Sequence, residues 1–187
     1  MMTTSVERRL FTVDEFLRMA TAGILREDER VELLEGELFP MSPIGARHAA
    51  CVNALNVYLS RLLGERALVA VQNPVQLSDR SMPQPDIAVL RPRADFYASR
   101  HPLPEDILWI VEVSDTSADY DRSLKLPLYA NAGVPEVWLF DLINHQVELY
   151  RQPTPQGYRT FHRCASGDAI SPDAFPDIRL VVDALLM

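Results

Sequence analysis

The segment Ile107 to Val113, ILWIVEV, constrains this chain most, because six of its seven residues are apolar. A run of that length and density is what a central strand covered on both faces requires. The fold must therefore place other elements on each side of the sheet. The exception within the run is Glu112. Alternation along a strand puts it on the face of Leu108, Ile110 and Ser114. Burying an unpaired carboxylate costs several kcal/mol. Glu112 thus needs a partner: an arginine in a structural ion pair, a metal, or several hydrogen-bond donors.

Around this strand the pattern alternates between helix and strand. Thr12-Val13-Asp14-Glu15 is a capping box that opens a short helix ending near Ala22. Val31 to Met41 reads as a strand pair with a tight turn around Glu35-Gly36-Glu37. From Arg47 to Leu63, Val52, Leu55, Leu59 and Leu62 recur at helical spacing, and Gly64 supplies the stop. Strands are expected from Ala67 to Leu77, with a break at Pro74, and from Asp86 to Leu90. A helical segment spans about Ser123 to Ala132, where Pro127 either kinks it or marks its first turn. Glu136 to Asp141, Gln146 to Arg151 and Tyr158 to Arg163 add strands, the last at an edge. The order predicts an α/β (α+β) fold with one mixed central sheet flanked by helices.

Length and composition limit the rest. A chain of 187 residues, 48% hydrophobic and 24% charged, suits one globular domain over 1–187 rather than a disordered or fibrous chain. The longest stretch without Asp, Glu, Lys or Arg, His48 to Ser60, falls short of the roughly 20 apolar residues a membrane span needs. The N-terminal residues lack the apolar core of a signal peptide. Cys51 and Cys164 allow at most one bridge. These features predict a cytoplasmic protein without membrane association. The net charge of −8 opposes whole-molecule steering toward a polyanion. A nucleic-acid partner would have to be met by a local basic patch, by bound cations, or by an oligomer.

Of the 18 basic residues, 17 are Arg and one, Lys125, is Lys. Lysine is a compact point charge, unlike the guanidinium fork, so Lys125 is either an ordinary surface residue or a position where an ammonium is needed. It lies 13 residues after Glu112, on the helix that follows that strand. Such a helix packs back over the sheet and can aim side chains at the strand. Asp86, after Pro85, opens another strand. Pro-Asp is common turn chemistry, but neighbouring strands would bring Asp86 and Glu112 to one point at the end of the sheet. Converging carboxylates repel unless they share a proton or a divalent cation, and Mg²⁺ takes oxygen ligands of this kind. A metal and an ammonium together suit phosphodiester hydrolysis: the cation polarises phosphate and generates hydroxide, and the ammonium stabilises the transition state. No Gly-rich phosphate loop, CxxC pair or HExxH is present.

Pro85-Asp86, Glu112-Val113-Ser114 and the downstream Lys125 resemble the PD-(D/E)XK nuclease superfamily. Ser114 stands where that pattern places its lysine, and Lys125 matches branches that carry the lysine on the next helix. The string VEVSDTSADYDRSLKLPLYANAGVPEVWLFD, with VELLEGELFPMSPIGARHAACVNAL before it, closely resembles the Uma-two family of restriction-endonuclease-like proteins. The resemblance covers about residues 13–151 and leaves 152–187 as a peripheral strand and tail. It implies a restriction-endonuclease-like core, Mg²⁺-dependent endonuclease cleavage of DNA (Mn²⁺ substituting), and dimers or higher oligomers. By position, Asp86 and Glu112 become metal ligands and Lys125 the catalytic lysine. Glu37 becomes a supplementary acid, with Glu32 competing for that place according to strand register. His48 either contacts phosphate or a metal-bound water, or is a helix-start histidine facing solvent or capping a loop.

Other features have simpler readings. Trp109, Trp138 and Phe140 are expected in the core. Arg91, Arg93 and Arg100 either touch a phosphate backbone or offset nearby acids. Asp115, Asp119 and Asp121 are loop and helix-start acids, with Asp115 close enough to compete as a ligand. Two alternatives to the nuclease stand beside it: a catalytically silent nuclease-fold binding or assembly module, and a metal-dependent hydrolase of small phosphate esters.

Overall fold

The computed structural model describes residues 8–26, 28–115 and 118–186. Six strands form one sheet in the order β3-β4-β5-β6-β7-β8. These are β3 (Leu68–Val71), β4 (Ile87–Leu90), β5 (Ile107–Ser114), β6 (Glu136–Asp141), β7 (Gln146–Thr154) and β8 (Gly157–Cys164). All neighbours are antiparallel except β5 and β6, which run parallel. The expected mixed sheet is present. The parallel pair requires a crossover, supplied by α3 (Ala118–Tyr120), a π-turn over Asp121–Lys125 and α4 (Leu126–Asn131). The Leu126 amide donates to Asp121 O, an i to i+5 bond. Pro127 falls in the first turn of α4, directly after the π-turn.

Side-chain alternation divides the core between the two faces. Val89, Trp109, Val111, Val113, Trp138 and Phe140 pack with Val52, Leu55 and Leu59 of α2 (Ala46–Leu63). Ala88, Leu90, Ile110 and Val137 pack on the other face with Leu126, Leu128 and Tyr129. Trp109, Trp138 and Phe140 are fully buried, as their apolar setting requires. Leu108 departs from simple alternation. A register irregularity beside it, between Val89 and Leu90 on β4, leaves it packed with the α2 cluster while Ile110 keeps the opposite face.

Two other expectations change. The strand anticipated to Leu77 ends at Val71, because Gln72 takes a left-handed backbone (φ 51°) and turns the chain out of the sheet. Residues beyond 151 do not form a merely peripheral tail: Ile170, Ile178, Leu180, Val182 and Leu185 are buried against α2. The short pair β9 (Ala169–Ile170) and β10 (Leu180–Val181) holds them there.

At the edge of this body, α1 (Val13–Thr21) begins at the Thr12–Glu15 capping box. The β1 (Val31–Leu34) and β2 (Glu37–Pro40) hairpin follows. Its turn brings Gly36 (φ 85°) so close to Leu10 that a Cβ would stand 2.6 Å from the Leu10 Cβ. Only glycine fits there.

Candidate active site

The antiparallel register Ile87↔Val111 brings Asp86, just before β4, beside Glu112 on β5. The Asp86 amide donates to Glu112 Oε2 at 3.3 Å, and the Val113 amide donates to Asp86 Oδ2 at 2.9 Å. Two other elements fix the Asp86 carboxylate. His48 Nε2, in the first turns of α2, lies 3.0 Å from Oδ2, and the Gln72 amide donates to Oδ1 at 3.2 Å. The left-handed turn that ends β3 early is what presents Gln72 to this position. His48 is therefore neither solvent-facing nor a loop cap, and its hydrogen bond to Asp86 raises its pKa above the usual imidazole value. Its Nδ1 is buried without a hydrogen-bond partner.

The crossover supplies the cation. Lys125 Nζ lies 3.3 Å from Glu112 Oε1 and 3.3 Å from Glu32 Oε2 on β1. The Tyr129 hydroxyl, one helical turn beyond Lys125, donates to Glu112 Oε1 at 2.5 Å. Glu32 is held in turn by the Tyr120 hydroxyl at 3.1 Å and the Gln84 amide at 3.2 Å. Glu32, Glu112, Asp121 and Lys125 are each no more than 5% exposed.

Burial pushes the Glu112 carboxyl upward, with Asp121 and Asp86 adding to the rise, while the Lys125 ammonium 3.3 Å away opposes it and favours the carboxylate. Burial works to lower the Lys125 ammonium, but the carboxylates of Glu112, Glu32, Asp121 and Asp86 outweigh it and drive its pKa upward. The surrounding carboxylates thus favour the ammonium form of Lys125. In this setting its role is to supply positive charge.

These groups line one cavity of about 580 Å³. Asp86, Glu112, Lys125 and His48 meet there. Glu37 does not. It lies on β2, paired with the exposed Arg8 at 2.8 Å. The hairpin register (Glu32↔Phe39, Leu34↔Glu37) puts Glu32 and Glu37 on one face but two rungs apart, so Glu37 sits toward the turn and only Glu32 is level with Lys125. Asp115 reaches the cavity wall but is paired with Arg47 at 3.2 Å. Arg93 and Arg100 pair with Asp95 and Asp106, and Arg91 donates to Glu105 O, so this loop offsets its own acids.

Gln72, Gln84, Tyr120 and Tyr129 escape sequence reasoning, for nothing in their local pattern separates them from loop or core residues. Asp121 was legible only as a helix-start acid. A second buried ionic group lies on the same sheet: Arg122 binds Asp141 at 2.7 Å and Glu148 at 2.9 Å, with Arg163 3.3 Å from Glu148.

A mixed six-stranded sheet with helices on both faces, and an acid pair at the adjoining ends of β4 and β5, is a restriction-endonuclease-like fold. A family model described as "Putative restriction endonuclease" matches residues 13–183, and the chain belongs to that family, Uma2. The match runs past Arg151 into the C-terminal segment that completes the core. A crystal structure from Anabaena variabilis ATCC 29413, described as "a putative nuclease belonging to DUF820", is similar with a TM-score of 0.74. It shares 17% identity over 94% of this chain and 97% of that one, a likeness in fold. No match was found among curated proteins.

The residues fit a divalent cation. Five carboxyl groups line the cavity (Glu32, Asp86, Glu112, Asp115 and Asp121) against Arg30, Lys125 and His48. That surplus of hard oxygen donors, partly excluded from water, suits Mg²⁺ or Mn²⁺. Among the described residues no group of three or more His, Cys, Asp or Glu side chains is preformed around a single metal position. Asp86 and Glu112 would then supply the protein oxygens, and water and phosphate the rest.

Proposed function

We propose that this protein is a metal-dependent endonuclease that hydrolyses DNA phosphodiester bonds, with Asp86 and Glu112 as the carboxylates that hold Mg²⁺. The observation that carries this reading is the meeting of Asp86, Glu112 and Lys125, from three separate parts of the chain, in one cavity. Membership of a family whose model is described as "Putative restriction endonuclease" supports it.

A divalent cation bound there supplies Lewis-acid polarisation of a phosphoryl oxygen and makes water more acidic. The remaining work falls to side chains. Lys125, held protonated by its acidic neighbours, stabilises the extra negative charge of the pentavalent transition state. Tyr129 and the Asp86 amide orient the Glu112 carboxylate from its two oxygens. His48 and Gln72 do the same for Asp86. Such support fixes the acids before substrate arrives, which is where electrostatic catalysis gains most.

The test is cleavage of plasmid and oligonucleotide DNA by purified protein with Mg²⁺ or Mn²⁺. Activity should disappear in Asp86→Ala and Lys125→Ala, while circular dichroism and elution volume stay unchanged. A wild-type protein inert with both cations would sink the reading.

Two observations favour a second reading, a silent nuclease-fold assembly module. Lys125 already neutralises Glu112 internally, and the chain carries a net −8. On that reading Asp86→Asn keeps function and leaves thermal stability level or higher, and added Mg²⁺ does not raise Tm. A rise in Tm with Mg²⁺ excludes it.

A further inference from the structure

The groups assigned to chemistry lie deep. Glu32 and Glu112 are 3% exposed and Lys125 is 5% exposed, within a cavity of about 580 Å³. Pro40, Met41, Pro43 and Ile44 form part of its wall, and the first two lie where β2 ends and the chain turns toward α2. A phosphate riding on the outside of a continuous duplex stays at such a rim. A single strand, free to bend its backbone, can deliver one phosphodiester to the floor.

Charge points the same way. Five carboxyl groups line this cavity against two cations, Arg30 and Lys125, with His48 beside them. Arg47 near the rim is engaged by Asp115 and Leu142 O. A duplex brings one negative charge per about 1.7 Å of axis and a single strand half that density, so the acidic wall repels a duplex more. Tight duplex binding draws on a set of free phosphate-contacting cations, and the loop arginines Arg93 and Arg100 are spent on Asp95 and Asp106.

We propose that the cavity takes an unpaired DNA strand, and that uninterrupted duplex is a poor substrate. This rests on the nuclease reading above and narrows it to a substrate class. The test uses the full-length protein with Mn²⁺ and three end-labelled substrates: a single strand, the same sequence as a blunt duplex, and a duplex bearing a single-stranded overhang. Fluorescence anisotropy with Ca²⁺ in place of Mn²⁺ reports binding without turnover. The expected result is single-strand cleavage at least about tenfold faster than duplex cleavage, from the halved charge density and easier entry. The overhang should be trimmed back to the junction, and anisotropy should rank the substrates in the same order. Equal cleavage and binding of blunt duplex overturns the single-strand proposal and leaves the nuclease standing. Hydrolysis of bis(p-nitrophenyl) phosphate with every DNA form untouched overturns it in favour of small phosphate esters. Inertness toward all substrates removes the nuclease reading and this one together.

Discussion

Lys125 Nζ stands 3.3 Å from Glu112 Oε1, joining the crossover helix to the central strand through a buried ion pair. The same ammonium also holds Glu32. Lys125→Met therefore leaves two buried carboxylates without their cation, and removal of one partner from such a pair costs about 3 kcal/mol or more. Urea denaturation should show that loss, together with loss of cleavage. Adding Glu112→Gln to Lys125→Met should recover part of the stability and none of the activity. A double variant no more stable than Lys125→Met would show that the pair is not what holds the crossover in place.

Glu32 and Glu37 have opposite expected behaviour. Glu37 pairs with Arg8, whose side chain is 80% exposed, and exposed pairs are worth about 0–1 kcal/mol. Glu37→Ala should keep both Tm and cleavage near wild type. Glu32→Gln should cut cleavage about tenfold or more by removing charge beside Lys125. Equal effects at the two positions would contradict the assignment of Glu32 to the site.

Tyr129→Phe deletes only the hydroxyl that donates to Glu112 at 2.5 Å. Hydrogen bonds to charged groups contribute about 1.5–3 kcal/mol, so stability should fall by about that much and kcat should fall with little change in KM. Tyr97→Phe is the control, since that hydroxyl donates to Arg91 O in an exposed loop; it should leave kcat unchanged.

Acid sensitivity should come from the Arg122 group. Burial raises the Asp141 and Glu148 carboxyls, but hydrogen bonds from Asn144 and Arg122 to Asp141, and from Arg122 and Tyr150 to Glu148, outweigh it, and both pKa values fall below the ordinary range. A carboxyl lowered on folding adds stability that is present above its unfolded pKa of about 4 and is lost as pH falls through the folded value. Tm should therefore drop steeply below about pH 4. Arg122→Gln should lose stability at neutral pH, because two buried carboxylates lose their cation, and show a shallower acid limb. An unchanged acid limb in that variant would place the sensitivity elsewhere.

How much was legible depended on whether the signal was local. The apolar run of β5, the Thr12–Glu15 cap and the Gly64 stop each announce their element by adjacent residues, and each is found there. The convergence of Asp86, Glu112 and Lys125 was readable because strand alternation and a returning helix constrain direction. The choice between Glu32 and Glu37 was not, since the two acids share one face of the hairpin two rungs apart and only its docking against the body decides which rung meets Lys125. Gln72 could not be foreseen either: its role follows from one left-handed residue that ends β3. The burial of residues 170–185 against α2 depends on contacts across more than a hundred positions, which no local pattern records.

The i to i+5 bond from Leu126 to Asp121 makes the crossover behave like a gear with one extra tooth. Each residue of an α-helix advances the side-chain direction by about 100°. Deleting one residue between Tyr120 and Lys125 would restore regular winding and rotate the two tyrosine contacts, Tyr120 on Glu32 and Tyr129 on Glu112, out of phase. Length changes tolerated in the surface loops of this protein should thus be lethal to its chemistry in these few positions, even where the sequence change leaves every named acid and the lysine intact.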